Sequence, residues 1–574
     1  QIYGRKNMRE KTITGYPSVD KPWLKYYSET TLNYPFPRLT VYSYLEEKVS
    51  EYLDDTAIVY FGKKIKYRTL LKNIKQTAAS FVEIGVKAGD IVAVALPNIP
   101  ENIYCLYALN YIGAIADMID LRSKGDTLQR YLKMSHAKVA VISDMFADNT
   151  LSILNKTDIQ TIIVASPLDS VPIHLRLLAR IKQTKFKCTG CAISWNDFSI
   201  GYDVIPQPHT DHDAVAFIAH TSGTTSAPKS VMLTNMNVNS LINQYISIGF
   251  KHSKGDIMMN QVPPFLAYSF LSFHMPFSMD MSVTLLPEYR PDLFAKNLKK
   301  YKPNHVFAGP GDWSNLLSNK QTDYSYLITN ASGSDKLDET TKRNIEAVLQ
   351  KGGCKNPILE GYGMTECCSA ACTQQPWNMV YGSVGTPLPE VNLCIFDNDA
   401  NAELKYGEVG EICISGTTVM KGYYCDEEAT KEALRCHPDG EIWLHSGDLG
   451  YIDENGNVYL IGRLKRLIVR YDGIKVPPTS VENVLVKHEA VSACCVVGAP
   501  DIEHGRGQKP VAFVVMANGV SAQALTDTLV ELCKSELPEK YIPVSFLQIN
   551  ALPLSANGKV DYRALEKEAA KLKV

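Results

Sequence analysis

Residues 214–230 read Ala-Val-Ala-Phe-Ile-Ala-His-Thr-Ser-Gly-Thr-Thr-Ser-Ala-Pro-Lys-Ser. The first five form a clean apolar β pattern. Beyond them, hydroxyls, Gly223 and Lys229 are packed into the nine residues Thr221 to Lys229. Backbone N–H and side-chain O–H groups donate there and the lysine adds charge, so the loop is an anion cradle with phosphate as its natural guest. The spacing nearly mimics a Walker A loop, but Pro228 stands where that motif needs glycine and removes a backbone donor. The bland alternative is an ordinary Ser/Thr-rich loop.

Working back from this strand, helical and strand patterns alternate. Residues 42–53 have helical spacing, 57–60 and 64–67 read as a short β pair, and 70–84 as an amphipathic helix. Strand 91–96, a buried helix over 102–114 and strand 139–142 come next. Such alternation predicts an α/β fold with a mostly parallel, buried sheet. Residues 175–187 carry Arg176, Arg180, Lys182, Lys185 and Lys187 and read as a solvated helix, with a membrane-surface helix as the alternative.

Working forward, the character changes near residue 390. Short strand patterns at 391–396, 409–414 and 458–461 are separated by Asn, Asp and Gly turns, and 453–456 has hairpin chemistry. Residues 391–462 therefore read as an antiparallel β subdomain. Residues 465–574 mix strands (493–497, 511–515) with helices (521–536, 562–572), a small α+β unit behind a hinge near residues 463–466. The expected division is a large N-terminal domain, 1–463, and a small mobile C-terminal domain, 464–574.

Composition sets the bounds. With 574 residues, 45% hydrophobic, 21% charged and a net charge of −2, the chain is ordinary globular protein, neither disordered nor a basic nucleic-acid binder. Fourteen cysteines are too sparse for a disulfide scaffold and indicate a reducing, cytoplasmic setting. Cys188 and Cys191 form a CxxC without a second pair at zinc spacing, so free thiols are expected; Cys367, Cys368 and Cys372 read as small apolar wall residues. Residues 1–12 lack the apolar run of a signal peptide. The uncharged stretch 257–279 contains Pro263, Pro264 and Pro276 and reads as buried strand, loop and helix, not as an integral membrane segment.

Further short motifs succeed the cradle in order: Gly361-Tyr362-Gly363-Met364-Thr365-Glu366, Gly382-Ser-Val-Gly-Thr-Pro387, Gly407-Glu-Val-Gly-Glu411, Trp443-Leu-His-Ser-Gly-Asp448, Gly462-Arg463-Leu464-Lys465-Arg466 and Asn557-Gly-Lys559-Val-Asp561. Together they resemble the motif series of the adenylate-forming (AMP-binding) superfamily of acyl-CoA synthetases, luciferases and peptide-synthetase adenylation domains, over roughly residues 40–570. Within it the chain looks most like a bacterial-type acyl-CoA synthetase. The resemblance implies carboxylate attack on the α-phosphorus of ATP, giving acyl-AMP and pyrophosphate, then transfer of the acyl group to a thiol. Charge neutralisation and in-line positioning matter most in such a step.

Residue by residue, the resemblance implies that Thr221, Ser222, Gly223, Thr224, Thr225 and Lys229 cradle the β,γ-phosphates. Gly333 and Ser334 would edge the purine; Gly361, Tyr362, Gly363 and Thr365 would form the adenine segment, with Tyr362 as the stacking face. Asp448 would accept the ribose hydroxyls, helped by Arg463. Lys559, Glu366 and Lys229 would be catalytic; Thr225 and Glu366 would hold Mg²⁺, a hard cation suited to oxygen donors. Lys465 matches the hinge, and Gly473 with Ile474 would flank the pantetheine of CoA, where a side chain would block close approach. Leu266, Tyr268 and Phe270 are expected to line the acyl pocket.

Departures from the pattern are Ser226 and Ser230 for glycine in the cradle, Arg466 for an acidic residue, Ser480 for Glu, one extra residue before Gly473, and Leu266 for His. No acid precedes Asp280 in the acyl segment, so an α-amino acid, whose ammonium would lie unpaired, is disfavoured. The expected partners are therefore a small carboxylic acid, ATP and CoA. Rival readings are an enzyme loading a separate acyl-carrier protein, a luciferase-like oxidation, and an inactive nucleotide-binding scaffold.

Overall fold

Two large sheets, each parallel at its centre with antiparallel strands at one margin or both, carry most of the chain. The computed structural model describes residues 13–180, 191–202, 204–221, 228–318, 323–517, 521–553 and 560–572. The strands Val215–His220, Ile115–Met118, Ile91–Ala95, Val139–Ser143, Thr161–Ala165 and Ala192–Ser194 pair in that order, all parallel. Ser230–Thr234 and Gly422–Tyr423 close one side antiparallel. The strand entering the cradle thus sits beside the strand leaving it, which fixes both ends of the loop.

The second sheet has nine strands. At its centre Ile358–Tyr362, Thr329–Ser332, His305–Ala308, Ile257–Asn260 and Ser282–Leu285 run parallel. The pair Thr56–Tyr60 and Lys63–Lys66 ends one side, as the sequence predicts. Helices such as Tyr67–Glu83 and Pro100–Tyr111 fill the space between the sheets. The latter is buried along its whole length, so its sequence shows no polar face. The uncharged stretch resolves into strand Ile257–Asn260, a short turn at Ala267–Ser269 and helix Phe270–Phe277. Among the described residues no helix is long and apolar enough to cross a membrane.

A third, antiparallel sheet holds Val391–Asp397, Gly410–Gly416, Ile442–Ile452 and Val458–Arg463, matching the expected β subdomain. Its 453–456 turn forms as predicted, with Gly456 at φ +87° donating to the Asp453 carbonyl at 2.9 Å. The C-terminal unit is a three-stranded sheet, Val491–Pro500, Gln508–Met516 and Ser545–Gln548. Helices Pro478–Leu485, Ala522–Glu536 and Tyr562–Ala569 pack around it, over two small cores of its own. Of the basic stretch, helix Ile173–Arg180 is described and residues 181–187 lie outside the described residues.

Candidate active site

The cradle is pinned at its neck. Thr221 N–H donates to the Lys229 carbonyl at 3.0 Å, and Lys229 N–H returns a bond to Thr221 Oγ1 at 3.1 Å. Below the neck His220 lies between Asp117 (2.6 Å) and the Ser230 hydroxyl (3.0 Å). Ser230, the departure from glycine, thus has a structural use beneath the loop. Ser222, Gly223, Thr224, Thr225 and Ser226 lie outside the described residues, as does Lys559.

From the neck, contacts run to the rest of the site. The Lys229 ammonium stands 4.5 Å from the centre of the Tyr423 ring, and the Tyr423 hydroxyl donates to Glu366 Oε1 at 2.8 Å. Glu366 is the middle residue of the turn Thr365–Cys367, which follows strand Ile358–Tyr362 after two residues, and its carbonyl accepts from Met420 N–H at 2.8 Å. Burial pushes the Glu366 carboxyl above the ordinary carboxylate range, opposed by the Tyr423 hydroxyl, Arg463 and Lys229. The Tyr362 hydroxyl donates to Asp448 Oδ2 at 2.8 Å, while Arg463 Nε meets Asp448 Oδ1 at 2.8 Å. Two contact chains result, Lys229–Tyr423–Glu366 and Tyr362–Asp448–Arg463, and the Arg463 charge acts on the Glu366 carboxyl of the other chain.

Two glycines of the adenine segment have a steric reason to be glycine. A Cβ on Gly363 would stand 1.8 Å from the Ser369 carbonyl oxygen, and one on Gly361 3.3 Å from that of Cys372. Gly333 similarly lets the Tyr268 hydroxyl approach to 3.3 Å of where its Cβ would be, bringing together the Gly333–Ser334 and Leu266–Tyr268 segments. Ser334 comes next, exposed, at φ +70°. Tyr362 itself is buried, and its hydroxyl is committed to Asp448.

On the acyl side, Leu266 and Tyr268 are half-buried. Phe270 is fully buried, with ring neighbours Phe217 at 4.9 Å and Phe273 at 5.6 Å, and packs in the large hydrophobic core. Around Gly473 no protein atom lies within 4 Å of where its Cβ would stand, and its φ of +80° favours glycine. Ile474 beside it is half-buried against the C-terminal core.

The hinge segment is held from both ends. Arg463 pairs with Asp448 on the large body, whereas Arg466 reaches into the C-terminal unit, to Glu482 Oε1 at 2.6 Å and the Val496 carbonyl at 3.2 Å. Lys465 between them is exposed. The sequence missed Tyr423 and the Arg466–Glu482 pair. Tyr423 lies 57 residues from its partner, and no local pattern marks it.

A family model described as AMP-binding enzyme matches residues 45–424, and one for the AMP-binding enzyme C-terminal domain matches residues 480–559. The chain belongs to the AMP-binding enzyme family. This AMP-binding enzyme is 29% identical to a long-chain-fatty-acid–CoA ligase of Bacillus subtilis, over 96% of this chain and 98% of that protein. It is 27% identical to 4-coumarate–CoA ligase 2 of Petroselinum crispum, over 91% and 92%. Its fold resembles the anthranilate CoA ligase AuaEII in complex with anthranoyl-AMP, with TM-score 0.79, 20% identity and coverage of 93% and 98%. It likewise resembles ATP-bound MatB from Rhodopseudomonas palustris, with TM-score 0.80, 23% identity and coverage of 93% and 99%.

Proposed function

We propose that this AMP-binding enzyme is an ATP-dependent carboxylic acid:CoA ligase. The acid's carboxylate displaces pyrophosphate from ATP to give acyl-AMP, and the CoA thiol then displaces AMP to give the thioester. The observation that carries the reading is the unbroken group from Lys229 through Tyr423 and Glu366, with Tyr362, Asp448 and Arg463 beside it. Its near-full-length likeness to acid–CoA ligases supports the same chemistry.

In this reading Asp448, held by a tyrosine and an arginine, is a fixed acceptor for the two ribose hydroxyls. Arg463 and Lys229 supply positive charge toward the phosphates, and Thr221 anchors the loop around them. Glu366 is a buried oxygen donor whose charge is disfavoured by burial, so it fits a hard divalent cation. Mg²⁺ bound there would neutralise phosphate charge. Lys559 would meet the carboxylate and the α-phosphate, and the unit after residue 463 would turn about Lys465 between the two half-reactions. Gly473 and Ile474 would then face the CoA arm.

Leu266 and Tyr268, with no acid among residues 265–269, favour an aliphatic or aryl acid over an α-amino acid. The free thiols among the described residues suit a reducing, cytoplasmic setting. The test is pyrophosphate release with Mg-ATP and a panel of fatty, aryl and amino acids, with and without CoA. Release that rises with CoA for one acid class is expected. CoA-independent release would turn the search to a carrier-protein thiol, and no release with any acid would overturn the ligase reading.

A further inference from the structure

Behind the Asp448 strand, the antiparallel sheet buries a set of soft donor side chains that the proposed reaction does not use. Cys394, Cys413 and His445 stand directly opposite one another on three neighbouring strands, so they share one face of the sheet. The Cys413 Sγ lies 3.6 Å from His445 Nδ1, and Cys394 is buried beside Cys413 on the neighbouring strand. His437, from the turn leading into strand Ile442–Ile452, brings its Nε2 to 2.9 Å from His445 Nε2. Cys413, His437 and His445 are all buried, each offering one ligand atom, and those atoms lie within 4.8 Å of one another.

We propose that Cys413, His437 and His445, with Cys394 as the fourth donor, form a structural zinc site. Thiolate and imidazole together select zinc over magnesium or calcium, and a closed four-donor set is the structural kind. Tetrahedral zinc needs neighbouring donors about 3.3–3.8 Å apart, so the two rings must part slightly from their present contact on binding. The two imidazole Nε2 atoms now face each other at 2.9 Å with one proton between them, and on metal binding that proton moves to His437 Nδ1, leaving both Nε2 lone pairs to the metal.

The surroundings fit a metal centre. Glu411 Oε2 accepts the Nδ1–H of His445 at 2.8 Å, the outer carboxylate that fixes a ligating histidine's tautomer and leaves its Nε2 lone pair free. The other Glu411 oxygen accepts Gly447 N–H at 2.8 Å. Phe396 stacks on His437 at 3.9 Å, and Trp443 lies parallel to it at 5.4 Å, together forming an apolar lid. On binding, the cysteine thiols give up their protons to solvent and the metal–sulfur bonds form, with no change of oxidation state.

The test uses the full-length protein stripped with a chelator, then titrated with Zn²⁺ against a competing chromophoric chelator, and separately with Co²⁺. One equivalent of Zn²⁺ should bind and raise the unfolding temperature, and Co²⁺ should show a thiolate-to-metal absorption band. His437→Gln, outside the paired strands, should weaken binding by about tenfold or more, and Cys413→Ser should remove the Co²⁺ band. Absence of stoichiometric binding, a Co²⁺ complex without the thiolate band, or His437→Gln binding as tightly as the parent would each overturn the proposal. Should Cys413→Ser not fold, the parent's Co²⁺ spectrum and His437→Gln still decide. The ligase reading can fail without touching this result, because neither measurement depends on turnover.

Discussion

Buried charge is handled in opposite ways by the two sides of the large body. Inside the parallel sheets it is cancelled locally. Glu101, fully enclosed, takes a hydroxyl from Ser170, and burial raises its carboxyl to about 7. Lys342 is closed off against Glu360 at 2.9 Å and the Gln374 side chain at 3.0 Å. Where strand Ile358–Tyr362 meets the antiparallel sheet, charge is instead gathered: Asp448 pairs with Arg463, whose charge also acts on Glu366, and Arg463 remains more than half exposed. A protein keeps charge where a ligand will complete it and quenches it elsewhere, because an isolated buried ion is too costly.

The largest expected break is on the gathered side. Asp448→Ala strips Tyr362 and Arg463 of their common acceptor, and with it the proposed ribose contact. Losing hydrogen bonds to a charged group costs about 1.5–3 kcal/mol each, so kcat/KM for ATP should fall by about a hundredfold or more while the fold persists. A value within threefold of the parent would remove Asp448 from the site. On the quenched side, Lys342→Met leaves Glu360 buried without its cation. Urea unfolding should then register about 3–5 kcal/mol of lost stability, with KM for ATP unchanged in the folded fraction; a shifted KM would mean the two sides are not separate.

The smallest effect is a pH slope. The Glu101 carboxyl titrates higher when folded, from an ordinary 4.5 to about 7, so the native state holds a proton that the unfolded chain has released. Its contribution is complete below about pH 4.5 and is lost as pH rises toward 7. Glu101→Gln should therefore gain stability relative to the parent between pH 5 and pH 8, by up to about 3 kcal/mol. An unchanged difference between those two pH values would show that this glutamate is not protonated in the fold.

The α/β architecture was legible because alternating periods are written locally. Strand 91–96, helix 70–84 and the β pair near residue 60 all appear where the pattern puts them, within a few residues. Strands Ile115–Met118 and Thr161–Ala165 were not read; only three residues separate the first from the wholly buried helix Pro100–Tyr111, so its apolar run merges with that of the helix. The site was legible as motifs, not as geometry. Asp448, Glu366 and Lys229 stand out in the sequence, yet the tyrosines joining them do so across 86 and 57 residues. Phe270 marks the same limit, since an aromatic in an apolar stretch looks identical in sequence whether it lines a pocket or fills a core.

The two arginines of the hinge segment have a mechanical consequence. With Arg463 tied to one body and Arg466 to the other, only Leu464 and Lys465 are left unclamped, and a residue brings two soft dihedrals. Any turning of the C-terminal unit must therefore pass through about four angles, while exposed contacts such as Lys475–Asp399 at 3.0 Å give way at little cost. If the C-terminal unit turns as proposed, a joint with so few degrees of freedom would carry it along a narrow arc, so the two bodies would meet again in few relative orientations with little search between them.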